Sequence, residues 1–320
     1  MIREDIVIDH SRSNLLHTVL LLGSMMGLLA LLGFLLSGTT GVVMALAAGV
    51  FLFFFGPRIS PQLLLRMYRA RALSPNEAPQ LYRIVQELAR RANLKFMPKL
   101  FYIPSPVMNA FAAGTRNQAV IAVTDGLLRK MDLAELSGVL AHEMSHIRNN
   151  DMRVMGIADL VGRMTGTFSL FGQLLLFINL PLLLMGEVAI SWIAIILLIF
   201  APTLSNLLQM ALSRTREFDA DLGAAQLTGD PAGLASALRK LEYYQGNLWQ
   251  RIVFPGQRSP EPSLLRTHPP TAERVKRLLA LKDDFGYSQP PYQTIANDDI
   301  SGVFSSVQRN PRWHMMGFWY

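Results

Sequence analysis

The chain is 320 residues long, 51% apolar and only 17% charged, with a formal net charge of +7 and no cysteine. A soluble domain is roughly one quarter charged, so much of this chain is made for a medium other than water. The absence of cysteine excludes disulfides, thiolate metal ligands and a thiol nucleophile.

From Ser13 to Pro57 there is no Asp, Glu, Lys or Arg. One membrane crossing takes about 20 apolar residues, so this zone fits two, near 15–36 and 38–56, divided by the turn-forming SGTTG at 37–41. The leader MIREDIVIDH carries acidic residues, no small-residue cleavage site follows, and a second apolar run comes at once. That pattern is expected of a retained anchor rather than a cleaved signal.

The stretch SPNEAPQLYRIVQELARRANL (74–94) reads as a helix, with Pro79 in its first turn and Leu81, Ile84, Val85 and Leu88 as its apolar stripe. KLFYI (99–103) is an apolar, aromatic run between prolines and predicts a strand. NAFAAGTRNQAVIAV (109–123) predicts two short strands around a polar turn at Gly114–Gln118. Asp132 with Glu135 three positions on has the form of a capping box and opens a helix at Leu133.

From Met164 to Ser213 the only charged residue is Glu187. GEV at 186–188 divides this zone into crossings near 168–186 and 188–210. SRTREFDADLGAAQLTG (213–229) should then be helical and stop at Gly229; Asp230 and Pro231 open a helix ending near Gly246, and 247–270 is a proline-containing loop. TAERVKRLLALK (271–282) is a last amphipathic helix, and the tail from 283 is given no structure.

Two helical hairpins return the chain to the side it left. The far-side turns hold no Lys or Arg, whereas Arg58, Arg66, Arg69, Arg71, Arg163, Arg214 and Arg216 flank the crossings on the near side. The positive-inside rule therefore places the soluble parts in the cytoplasm. Basic residues beside a bilayer account for the net charge, and with no basic stripe interleaved with aromatics, no nucleic-acid partner is expected.

Within VLAHEMSHIRNND (139–151), His142 and His146 are four apart and share one helix face, so both imidazoles can reach a single metal ion. Glu143 stands next to them, close enough to reach a metal-held water without ligating. Two surface histidines on an ordinary helix are the plain alternative. A catalytic zinc takes three protein ligands and an open position, and a histidine six residues after His146 is absent, Met152 occupying that place. Asp151 would point well round a continuing helix. Glu217 is the better third ligand, with Asp221 four residues on, on the same face, to hold the far nitrogen of a ligating histidine. An unremarkable charged helix face is the alternative for that pair.

Four motifs together, NAFA (109–112), AHEMSH (141–146), SRTREFDAD (213–221) and THPPTAER (267–274), make the chain resemble an HtpX-type membrane zinc metalloprotease, of the same broad peptidase family as the CAAX prenyl-protein endopeptidases, over roughly residues 15 to 282. The resemblance implies one zinc per chain on His142, His146 and Glu217, Glu143 as general base, and Asp221 supporting a ligand. It further implies that Asn109, with Ala110 and Phe111, holds the substrate main chain beside an edge strand, and that His268 and Arg274 face the substrate and the developing oxyanion. The fold expected is an α-helical membrane protein, about four transmembrane helices in two hairpins, carrying a mainly α, zincin-like cytoplasmic catalytic domain with a small β-sheet. Its parts would be the hairpins 1–56 and 164–210, the catalytic segments 57–163 and 211–282, and the tail 283–320. The function implied is hydrolysis of unfolded or damaged membrane proteins at a bacterial inner membrane. A site-specific processing endopeptidase, or a membrane scaffold with a structural zinc, are the alternatives.

Overall fold

The computed structural model describes residues 4–55, 60–185, 191–252 and 270–281; the predicted turn at 186–188, His268 and the tail 283–320 lie outside them. In chain order the elements are α1 (Glu4–Phe55), α2 (Pro61–Met67), β1 (Arg71–Ala72), α3 (Pro79–Arg91), β2 (Lys99–Ile103), β3 (Ala110–Ala113) and β4 (Val120–Thr124). They continue as α4 (Asp125–Lys130), α5 (Leu133–Asn149), α6 (Asp151–Leu184), α7 (Trp192–Thr228), α8 (Pro231–Ile252) and α9 (Thr271–Ala280). Two compact units result, one of Ser11–Arg58 with Arg153–Thr215, the other taking in Ile59–Met152 and the chain from Arg216 onward.

The described residues of the first unit are almost all helical. Helical dihedrals fail in α1 at Ser37 (φ −152°) and Gly38 (φ 57°, ψ −143°), within SGTTG. A Cβ added to Gly33 would fall 2.5 Å from the carbonyl oxygen of Gly41. Eight residues along a straight helix cover about 12 Å, so the chain folds back on itself here, and glycine is what lets the two backbones touch. Met25, Leu29 and Ala45 of α1 share a buried cluster with Ala158, Val161 and Met164 of α6 and Leu212 of α7. Ser169 Oγ of α6 donates to the Ile199 carbonyl of α7 at 3.1 Å. The outer face is apolar: Phe51, Phe177 and Phe200 are 60%, 83% and 63% exposed. Among the described residues three helices, over Arg12–Phe54, Asp151–Leu182 and Trp192–Thr228, are long and apolar enough to cross a membrane.

The second unit is built on a four-stranded sheet in the order β1-β2-β4-β3. β2 and β4 are parallel, Lys99 opposite Val120 through Ile103 opposite Thr124, while β1 and β3 run antiparallel at the two edges. Central β4 is buried at all five positions, which is why VIAVT reads as a continuous apolar run rather than an alternation. On one face Leu100, Tyr102, Ile121 and Val123 join the main core with Leu81, Ile84, Val85 and Leu88 of α3 and Leu136, Leu140 and Met144 of α5. On the other, Ile103, Val120 and Ala122 pack against Leu64, Leu65 and Tyr68 around α2.

Strands β2 to β4, the turn between β3 and β4, and helices α3 and α5 fall where the sequence places them. The short α2, β1 and α4 are additions, each too brief to show a periodicity. α8 runs past Gly246 to Ile252; a helix-interior glycine costs only about 1 kcal/mol, too little to end a 22-residue helix.

Two devices fix α5. The capping box forms, Asp132 accepting from the Glu135 N–H at 2.9 Å and Glu135 from the Asp132 N–H at 3.1 Å. Glu135 also accepts from Ser236 and Lys240, at 2.8 and 2.5 Å, which ties the start of α5 to α8. At Gly138 a Cβ would lie 2.8 Å from the Leu234 backbone, so the two helices meet at main-chain distance.

Candidate active site

Helix α5 presents His142 and His146 on one face, their Nε2 atoms 3.1 Å apart. Glu217, from α7, brings Oε2 to 3.5 Å from His142 Nε2 and Oε1 to 3.6 Å from His146 Nε2. These three form the one group of possible metal-binding side chains among the described residues. α7 is unbroken from Trp192 to Thr228, so the helix predicted to cross the membrane also carries the carboxylate. Asp221, one turn further on, lies 3.0 Å from His142 Nδ1. All four are largely buried, His142, Glu217 and Asp221 at 6%, 6% and 5% exposure.

The donor set suits a divalent cation. With carboxylates beside both Nδ1 atoms, Asp221 at His142 and Asp151 at His146, an N–H is favoured on each Nδ1, and the two Nε2 atoms face each other. Lone pairs that close repel unless a proton or a metal lies between them. Zinc bonds of about 2.0–2.1 Å at tetrahedral angles would set ligand atoms about 3.3 Å apart, close to the separations here. Charge fits as well. Glu143, Asp151, Glu217, Asp219 and Asp221 outnumber Arg116, Arg148, Arg216 and Arg274 around the group by one. Burial disfavours a charge on His142, yet Asp221 and Glu217 outweigh it and hold its pKa up to about 10. Burial likewise opposes charge on His146, and Asp151 more than compensates, keeping its pKa above the ordinary value.

Glu143 stands beside the metal group, not in it. Its Oε2 accepts from the Ala112 N–H of β3 at 2.8 Å. That bond fixes what edge strand β3 presents. Asn109 is locked to β4, its N–H donating to Thr124 Oγ1 and its carbonyl accepting from the Thr124 N–H at 3.0 Å. The alternation of an antiparallel ladder then turns the Phe111 main chain toward β4 and that of Ala110 and Ala112 away from it. The Phe111 ring packs beside Tyr68, centroids 5.6 Å apart, in the cluster on the sheet face opposite α5. Of the three residues predicted to hold substrate, Ala110 alone thus has outward main-chain groups; those of Ala112 also turn outward, its N–H to Glu143.

Arg274, expected to face the oxyanion, is buried beside the metal group. Its guanidinium donates to both Asp221 oxygens at 2.8 and 2.7 Å and reaches Glu217 Oε2 at 3.1 Å. A buried arginine between two carboxylates neutralises them and holds them still. Asp151 is also nearer than expected: its Oδ2 is 2.7 Å from His146 Nδ1.

Residues 75–282 match the model of peptidase family M48. The chain belongs to peptidase family M48. Every described residue predicted for the site falls inside that match. Among M48 relatives, a protease HtpX homolog of Sulfurihydrogenibium sp. (strain YO3AOP1) is 38% identical over 300 residues, covering 86% of this chain and 99% of its own length. Another, from Desulfatibacillum aliphaticivorans, is 38% identical over 307 residues, with 90% and 96% covered. A third, from Acaryochloris marina, is 39% identical over 282 residues, with 84% and 95% covered. The crystal structure of S. mikatae Ste24p aligns at 21% identity and a TM-score of 0.44, over 85% of this chain and 66% of that one. With its apolar helices, this M48 chain is a membrane-associated metallopeptidase.

Proposed function

We propose that this M48 peptidase is a zinc-dependent endopeptidase that hydrolyses unfolded or damaged membrane proteins. The observation that carries the reading is the approach of two imidazole Nε2 atoms to 3.1 Å with Glu217 at 3.5 and 3.6 Å, and a further carboxylate, Glu143, beside but outside the group. His142, His146 and Glu217 would hold the zinc. When bound, it supplies Lewis acidity, polarising the scissile carbonyl and making water a nucleophile near neutral pH.

The chain's own residues do the rest. A substrate segment adds as a strand along β3, using the outward main-chain groups of Ala110 and the carbonyl of Ala112, whose N–H is held by Glu143. Glu143 takes a proton from water as the oxygen attacks the carbonyl carbon, then gives it to the amide nitrogen as the C–N bond breaks. Asp221, held by Arg274, keeps the His142 ring aimed. His268 remains the candidate donor to the oxyanion. Strand addition reads main chain rather than side chains, so the site accepts any extended segment, which unfolded proteins supply and folded ones do not. The reversal at Ser37–Gly38 supports reading α1 as two crossings and the whole as four. The arginines flanking the crossings favour a cytoplasmic catalytic unit.

The test is proteolysis by the detergent-purified full chain of one membrane protein, folded and denatured, comparing wild type with Glu143→Ala at equal zinc content. The expected result is cleavage of the denatured form only, slowed about 10²–10⁴-fold in the variant. Equal activity of the variant, or indifference to the state of the substrate, contradicts the proposal.

A further inference from the structure

Asp151 is five residues after His146, and on a continuing helix it would lie about 140° round from it. The chain does not continue. Asn150 adopts φ 56°, ψ 34°, its N–H closes onto the His146 and Ile147 carbonyls, and α5 ends; Asp151 starts α6. The left-handed residue turns the aspartate back, so that its Oδ2 meets His146 Nδ1 at 2.7 Å.

The other oxygen of Asp151 is equally engaged. Oδ1 accepts from Arg216 Nε at 2.6 Å and lies 2.5 Å from Nη2. Arg216 also reaches Asp219 at 2.9 Å, and Asn149 donates to Asp219 at 3.2 Å. Asp151 and Arg216 are 3% and 7% exposed, too buried for an exposed surface pair. Arg216 immediately precedes Glu217. The pair thus joins the two stretches of chain, some 70 residues apart, that deliver the two halves of the metal group.

Histidine, aspartate and arginine stand in line twice around the group, as His142–Asp221–Arg274, with Asp221 3.0 Å from His142 Nδ1, and as His146–Asp151–Arg216, where the contact is a hydrogen bond. We infer that Asp151 is the positioning residue of His146 and, with Arg216, the clasp that sets Glu217 against the histidine pair. By accepting a hydrogen bond from Nδ1–H it leaves Nε2 to ligate, and Arg216 holds the buried carboxylate in place. Outer carboxylates of this kind change metal affinity by about 10–100-fold. The inference rests on the reading that His142, His146 and Glu217 hold zinc, and the experiment separates the two.

Zinc affinity is measured by competition with a chromophoric chelator on the detergent-purified full chain, with the absorption spectrum of the Co²⁺-loaded protein as the second readout. The proteins are wild type, His146→Ala, Asp151→Asn and the double variant Asp151→Asn/Arg216→Gln. The double variant removes both members of the buried pair while Asp219, at 18% side-chain exposure, keeps the Asn149 donor, so its fold survives if the pair is only a clamp. The expected result is a loss of about 10–100-fold in affinity for both Asp151 variants, with a shifted Co²⁺ spectrum that a clamp remote from the ligands would not produce. Wild-type affinity and an unchanged spectrum in the folded double variant overturn the inference. So does failure of both variants to fold, which would make Asp151 a prop of the fold rather than of the ring. If wild type takes up no zinc, or His146→Ala binds as tightly as wild type, the zinc reading itself is what fails.

Discussion

In the helical unit Phe51, Phe177 and Leu184 are 60%, 83% and 85% exposed, while the unit around the sheet holds Asp151, Arg216, Glu217, Asp221 and Arg274 to 7% exposure or less. A single helix makes the contrast: α6 begins at buried Asp151 and carries Phe177 on its outer surface. Burial here follows the medium that covers each surface. Lipid accepts the exposed phenylalanines at no cost, whereas the buried charges persist because each meets an opposite charge or a hydrogen bond. The two units should therefore respond in opposite ways to gaining or losing a charge.

The largest effect is expected from taking a charge out of the catalytic unit. Arg274→Leu leaves Asp221 and Glu217 buried beside each other without their shared cation, and should cost about 3–5 kcal/mol in chemical denaturation of the zinc-free chain. A loss near zero would mean that the carboxylates find water instead.

Putting a charge into the helical unit should cost nearly as much. Phe177 lies at the middle of the predicted crossing 168–186, so Phe177→Arg should reduce membrane insertion by about 2.5–3.5 kcal/mol. Tyr243→Arg, at a position 67% exposed in the other unit, should stay within about 0.5 kcal/mol in the denaturation assay. Equal tolerance at both positions would remove the distinction between the units.

A pH series sharpens the comparison further. The folded, zinc-free chain holds His142 at a pKa of about 10, above its ordinary 6.5. A raised pKa means the folded state binds the proton more tightly, so this stability is fully present below about pH 6.5 and is lost as pH rises through about 10. Zinc competes for the same imidazole and needs it neutral, so loading should flatten the dependence over that window and release protons. Unfolding of metal-free and zinc-loaded protein between pH 6 and 10 checks the sign. A metal-free chain that gains stability across that range would contradict it.

The smallest effect is expected at the fold-back of α1. Gly38→Ala forces a Cβ onto φ 57°, ψ −143°, a region almost confined to glycine, and should cost about 1–2 kcal/mol in thermal unfolding. An unchanged midpoint would show that the reversal relaxes freely.

Much of the site was legible because it obeys helical spacing. His142 with His146, and Glu217 with Asp221, are i,i+4 pairs whose faces follow from sequence alone. The edge strand was legible in NAFA and its turn, but not the direction of its main-chain groups, which depends on the pairing of Asn109 with Thr124. Asp151 was misplaced because the helix was carried past Asn150; the double asparagine of RNND was the available signal, since asparagine tolerates the left-handed turn that ends α5. Arg274 could be placed near the site by its motif. Its commitment to Asp221 and Glu217 needed α9 docked beside α7, which no local pattern encodes.

The account turns on three ligands around one zinc, with Glu143 outside the set. The most direct measurement is metal content by elemental analysis of purified wild type, Glu217→Ala and Glu143→Gln. One zinc per chain is predicted in wild type and in Glu143→Gln, with the metal lost from Glu217→Ala. A full complement of zinc in Glu217→Ala, or its loss from Glu143→Gln, would contradict the assignment.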